Sequence, residues 1–147
     1  MFNWSTILPQ PNNSYSGSKI SLYYLVLLSC MFTFRGVVHY FVPDGGSGII
    51  AGIPLETYPE GAVQSIITGF GVYGIYHLME AVLAWLTIFR WRALIPIFLL
   101  FVGINQLMGI ILITMKPLPV IPPGQIGVYL LFPITLVAFL LSIRQAK

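Results

Sequence analysis

Charge is what this chain has least of. Charged side chains make up 7% of its 147 residues, and only four of them are acidic. A soluble domain carries about 25%, so this one has too few ionic groups to cover a water-facing surface. Cysteine is nearly missing as well. Cys30 stands alone, which excludes an internal disulfide, a paired-cysteine redox motif and a thiolate metal cluster. Four-helix membrane enzymes that oxidise thiols are excluded with them. Two histidines, His39 and His77, cannot supply the three or four ligands of a protein-bound zinc site.

What the chain has in abundance is apolar sequence: 57% hydrophobic residues and a mean hydropathy of +0.89. Four stretches are long enough for the ~20 residues that a helix needs to cross a ~30 Å hydrocarbon core. They lie at about 20–41, 62–89, 93–115 and 125–143, so the expected fold is all-α, a single bundle of four transmembrane helices. Positions 1–19 read as an N-terminal tail, polar and interrupted by Pro9 and Pro11. The segment 42–61 is rich in glycine and proline, which break regular structure. Its apolar middle, Ile49 to Ile53, is too short to span and is expected to fold back onto the mouth of the bundle.

The short Arg90-Trp91-Arg92 link predicts that the second and third spans are antiparallel neighbours. Four spans put both termini and that link on one side, with Lys19, Arg90, Arg92, Arg144 and Lys147. The other side receives Asp44, Glu56, Glu60 and Lys116. Positive residues stay in the cytoplasm, which predicts cytoplasmic termini. The net charge of +3 is thereby explained by topology, and nucleic acid is not an expected partner.

Polar residues inside the spans are the candidate site. Arg35, His39, Tyr73, His77, Glu80, Asn105 and Gln106 fall toward the middle or outer half when depth is counted at ~1.5 Å per residue from the cytoplasmic ends. A charge within lipid costs about 2.5 to 3.5 kcal/mol, so Arg35 and Glu80 are expected to face inward and to pair. The same count puts His39 about 10 Å deeper than His77, too far apart for two axial ligands of one haem. His77 and Glu80, three apart, offer at most two metal ligands. Ser65 lies about three turns from His77, which weakens a nucleophilic triad. No cofactor is expected, although a quinone-like ligand is left open. Gly69, Gly71, Gly74, Gly103 and Gly109 suit close helix packing, with a homodimer seam at Ser65-xxx-Gly69 as the alternative.

The run Phe89-Arg90-Trp91-Arg92-Ala93-Leu94-Ile95-Pro96, with Lys116-Pro117 and Pro122-Pro123-Gly124-Gln125-Ile126-Gly127 opening the last span, resembles small bacterial four-helix membrane proteins of the DoxX-like type. The resemblance covers roughly Gly69 to the C-terminus. It implies a bacterial inner-membrane location and the same fold, and it carries over no catalytic residue. Two functions remain open. One is a non-catalytic accessory subunit that binds lipid or a membrane protein partner, including a second copy. The other is a small redox or proton-coupled component holding a quinone-like molecule at the layer of Arg35, His77 and Glu80.

Overall fold

The computed structural model describes residues 8–118 and 120–144. Four helices account for most of them: α1 (Lys19–Phe41), α2 (Glu60–Phe89), α3 (Ile95–Met115) and α4 (Pro123–Ile143). All four are long and apolar enough to cross a membrane, and no strand occurs among the described residues. This is a multi-pass membrane protein built as a four-helix bundle. Lipid cannot hydrogen-bond a backbone, so each span must satisfy its own N–H and C=O groups, which only a helix does within one segment.

Local chemistry sets the helix ends. Ser18 caps α1 by accepting from the Ile20 amide at 3.2 Å, and Pro43 follows one residue after its C-cap, Val42. Pro59 precedes α2, whose first turn carries Glu60, a negative charge where the helix dipole favours one. Proline occupies the first turns of α3 and α4, where its missing N–H costs nothing. Inside α4, Pro133 breaks one backbone bond of the ladder.

The helices pair as two hairpins. α1 packs along α2 and α3 along α4, while α1 joins the pairs by touching α4 and, at fewer points, α3. α2 and α3 meet only sparingly. The expectation that the short basic link makes them full neighbours is therefore corrected: the link reverses the chain, but α2 has already spent its packing face on α1. Glycine allows that contact. A Cβ on Gly74 would stand 2.7 Å from the Tyr40 amide nitrogen, and one on Gly36 would stand 2.8 Å from Leu78 Cγ.

Those contacts fix the register. α2 has 30 residues against 23 in α1, roughly 45 Å against 35 Å, so its N-terminal turns run beyond the end of α1. The loop after α1 folds into the step, with Gly45 against Phe70 and the Ile67 carbonyl. Asp44 organises it by accepting from the amides of Gly46, Gly48 and Ile49 at 2.8 to 3.0 Å. Gly45 and Gly46 have φ of 61° and 75°, a region that other residues enter only under strain. Ser47 and Ala51 are buried in this turn, but Ile49 and Ile50 are exposed, so the expected packing of the apolar middle onto the bundle mouth is met at Ala51 and not at these two isoleucines.

At the opposite end, residues 8–18 form a strap across the α2–α3 link. Asn12 donates from its amide to the Arg90 carbonyl and accepts from the Ala93 amide, at 3.0 and 3.3 Å. Trp91 Nε1 donates to the Gln10 carbonyl at 3.0 Å. Most of the tail is thus docked structure, while residues 1–7 of it lie outside the described residues. The apolar core gathers between these ends, from Leu25, Leu28 and Phe32 through Ala81, Ala84 and Ile88 to Ile95, Leu99, Val102 and Ala138.

Candidate functional site

Buried polarity concentrates where α1, α2 and α3 meet. His77 and Glu80 are three apart on α2 and share a face, with His77 Nδ1 2.9 Å from Glu80 Oε2. The other carboxylate oxygen, Oε1, accepts from Asn105 Nδ2 of α3 at 3.0 Å. Asn105 is the eleventh of the 21 residues of α3, about 15 Å from either end. The carboxylate it holds therefore sits near the centre of the bilayer, and its two hydrogen bonds supply what lipid withholds.

Aromatic rings wall the histidine. His77 stacks on Phe32 at 5.8 Å between centroids, meets Tyr73 edge-on at 4.4 Å and lies 6.1 Å from the His39 ring. Its side chain is 5% exposed, against 26% for Glu80. The network thus has a closed end at His77 and an open end at Glu80 and Asn105, the latter exposed. His39 is held by a different element: Nδ1 lies 2.7 Å from the Gly45 carbonyl. A carbonyl only accepts, so Nδ1 carries the proton. With Glu80 as a carboxylate, the same logic places the His77 proton on Nδ1. His77 Nε2 is buried with no hydrogen-bond partner.

Three expectations are revised by this geometry. Arg35 does not pair with Glu80. Its guanidinium carbon lies 5.6 Å from the centroid of the Tyr73 ring, and its Nη2 would stand 3.1 Å from a Cβ on Gly124, at the start of α4. Among the described residues, no Lys or Arg nitrogen lies within 4.0 Å of a carboxylate oxygen, and the one side-chain contact of Glu80 with a basic residue is the hydrogen bond from His77. The physical reason is level as well as direction: the guanidinium lies over Tyr73, seven residues and roughly 10 Å along α2 from Glu80, and beside the start of α4, while Glu80 bonds Asn105 of α3.

The 10 Å gap between the histidines is also wrong. Their ring centroids are 6.1 Å apart, because α1 and α2 are staggered rather than flush at the ends marked by Lys19 and Phe89, as the Gly74–Tyr40 contact requires. The depth argument against haem falls with it. His77 packs directly against the rings of Phe32, Tyr73 and His39. No group of three or more metal-ligating side chains occurs among the described residues.

Gln106, third, belongs elsewhere. It is buried, its Oε1 is unpartnered, and it lies beside the Tyr24 hydroxyl, which shares a 2.6 Å hydrogen bond with Thr135 of α4. One turn of α3 thus splits Asn105 and Gln106 between two polar clusters. Among the glycines inside the helices, Gly74 and Gly36 make the close contacts, while Gly69 and Gly71 face open space.

The Gly45 carbonyl was invisible to sequence reading, since only the loop fold brings it to His39. Phe32 was within reach, four residues after Leu28 and three before Arg35 on the helical stripe of α1. Compared with protein-family models, curated proteins and solved structures, the chain has no significant match.

Proposed function

We propose that this protein is a non-catalytic membrane subunit whose Glu80–Asn105 pair receives a transmembrane helix of a partner protein. One observation carries the reading: a carboxylate and an amide near the bilayer centre are open on the side where α2 and α3 diverge. Lipid penalises such a surface, and a helix that brings a hydrogen-bond donor satisfies it. A carboxylate has about four acceptor positions, and His77 and Asn105 occupy two. Interhelical bonds of this kind average about 0.6 kcal/mol, enough to orient a partner while packing supplies the affinity. The resemblance to DoxX-like proteins and the basic charge at one end support a bacterial inner-membrane protein with both termini in the cytoplasm.

The quinone-type reading has one observation in its favour, the unpartnered Nε2 of His77, which would meet a carbonyl oxygen when protonated. Arg35 turning toward α4 and the ring-filled surroundings of His77 weigh against it. The test is the composition of material purified in mild detergent from the native membrane, for wild type, Glu80→Gln and Asn105→Leu. We expect a wild-type complex with a second membrane protein that Asn105→Leu loses while its own thermal stability holds. A stoichiometric lipophile of low mass, lost in Glu80→Gln, would replace this reading with the quinone-type one. A complex containing only this chain would make the partner a second copy.

A further inference from the structure

The charged end of the molecule contains a cavity that the polar network does not use. It has a volume of about 850 Å³, within the ~300 to 1,000 Å³ usual for small-molecule sites. It lies under the strap, between the start of α1, the α2–α3 link and the end of α4. Lys19, Arg92 and Arg144 line it, one from each of those segments, together with Tyr15. No acidic side chain is near in sequence to any of the three, because Asp44, Glu56 and Glu60 lie at the other end and Glu80 is inside the bundle. The lining also includes Leu22 and Leu141, on the α1 and α4 surfaces that lead down into the hydrocarbon.

We infer that this cavity binds a phosphate-bearing anion, and that its source is the headgroup of an anionic phospholipid. Three cations line one cavity with no acidic side chain among its described lining residues, and an anion bound among them offsets their mutual repulsion. Arginine grips phosphate through paired N–H donors and lysine as a point charge. Arg92 is already oriented: its Nε donates to the Ile88 carbonyl at 2.9 Å, which fixes the guanidinium at the link. Arg90 takes no part, since its guanidinium carbon lies 5.3 Å from the centroid of the Trp91 ring. Ser18 Oγ already accepts from the Ile20 amide in the first turn of α1, and the site rests on the side-chain cations. Free phosphate satisfies the cations equally well. It has no use for the leucine floor, whereas a lipid lays its acyl chains there.

Cavity shape depends on the strap. The Ser18 amide donates to the Leu141 carbonyl at 3.2 Å, and Gly17 packs so closely on the Ser142 carbonyl that no side chain fits. These contacts hold Lys19 beside Arg144.

The experiment uses the full chain in nanodiscs of phosphatidylcholine, with or without about one-fifth phosphatidylglycerol. After transfer to mild detergent, retained lipid is counted by native mass spectrometry and thermal midpoints are measured. The expected result is about one phosphatidylglycerol held per chain, with retention about five-fold weaker for each charge removed in Lys19→Gln and Arg144→Gln. Both side chains are exposed, so these variants should keep the wild-type helix content. Lys116→Gln, at the far end, should retain lipid like wild type. Equal retention of the two lipids, or an equal loss in Lys116→Gln, would overturn the site in favour of a general surface charge. Inorganic phosphate that displaces phosphatidylglycerol and raises the midpoint as far as the lipid does would overturn the lipid source.

Discussion

The two hairpins of this bundle are built on opposite terms. The 18-residue apolar stretches of α1 and α2 are less hydropathic than those of α3 and α4, yet the first pair buries the larger share of its residues. In water the more apolar helices would be inside. In a bilayer the solvent is itself apolar, so burial is reserved for side chains that lipid cannot satisfy, and small residues let the helices come close enough to enclose them. His39, His77, Ser21 and Ser29 are buried in the first hairpin. The second exposes Phe101, Met108, Leu130 and Leu140, and contributes Asn105, Gln106 and Thr135 where it meets α1 and α2.

The sharpest way to break this contrast is at glycine. Gly74→Ala sets a methyl group against the backbone of His39 and Tyr40, at 2.7 to 2.9 Å, where nothing can yield. We expect a loss of about 2–3 kcal/mol. Gly127→Ala in α4 meets nothing within 4 Å and should be neutral, or stabilising by up to about 1 kcal/mol from helix propensity. Reversible unfolding in detergent compares the two, and equal losses would sink the distinction between the hairpins.

A smaller difference separates the polar clusters. Glu80→Leu strands the donors of His77 and Asn105, one of them buried, and should cost about 2 kcal/mol. Thr135→Val removes one hydroxyl from the Tyr24 contact and should cost about 0.6 kcal/mol. Were Thr135→Val the more damaging, the α1–α3–α4 cluster would be the stability centre.

The smallest effect belongs to the loop. The amides of Ile49, Gly46 and Gly48, with burial opposing them, hold the Asp44 carboxyl below its ordinary value of 3.8. The charged form is favoured in the folded state. Its contribution is complete above the ordinary value and fades as pH falls through the lower folded one. Thermal midpoints of Asp44→Asn should therefore lie below wild type near neutrality and converge with it on acidification. A constant offset across that range would show that the carboxylate charge contributes nothing.

How much of this was legible beforehand follows from what one dimension can carry. Four apolar stretches and their breakers specify four helices, and Pro43, Pro59, Pro96 and Pro123 mark ends because ring closure acts locally. Glu80 and Asn105 stood out for the same reason, since a polar group in an apolar run needs no partner to be conspicuous. Which partner each would take was not legible. Arg35 and Glu80 are matched by charge and lie within side-chain reach on a helical depth count, but the stagger of α1 against α2 decides contact, and it follows from Gly36 and Gly74 seating against specific neighbours. The strap was hidden more completely, because backbone hydrogen bonds from Asn12 leave no trace in side-chain pattern.

That strap has a consequence in time. Gln10 and Trp91, joined by a hydrogen bond, are 81 residues apart, so a ribosome adding 5–20 residues per second needs roughly 4–16 s to make the second after the first. Throughout that interval the N-terminal segment has no surface to dock on, and two helices must be made before it gains one. Closure of the basic end is therefore a late event in biogenesis, and a nascent chain halted before Trp91 should leave its N-terminus open to protease.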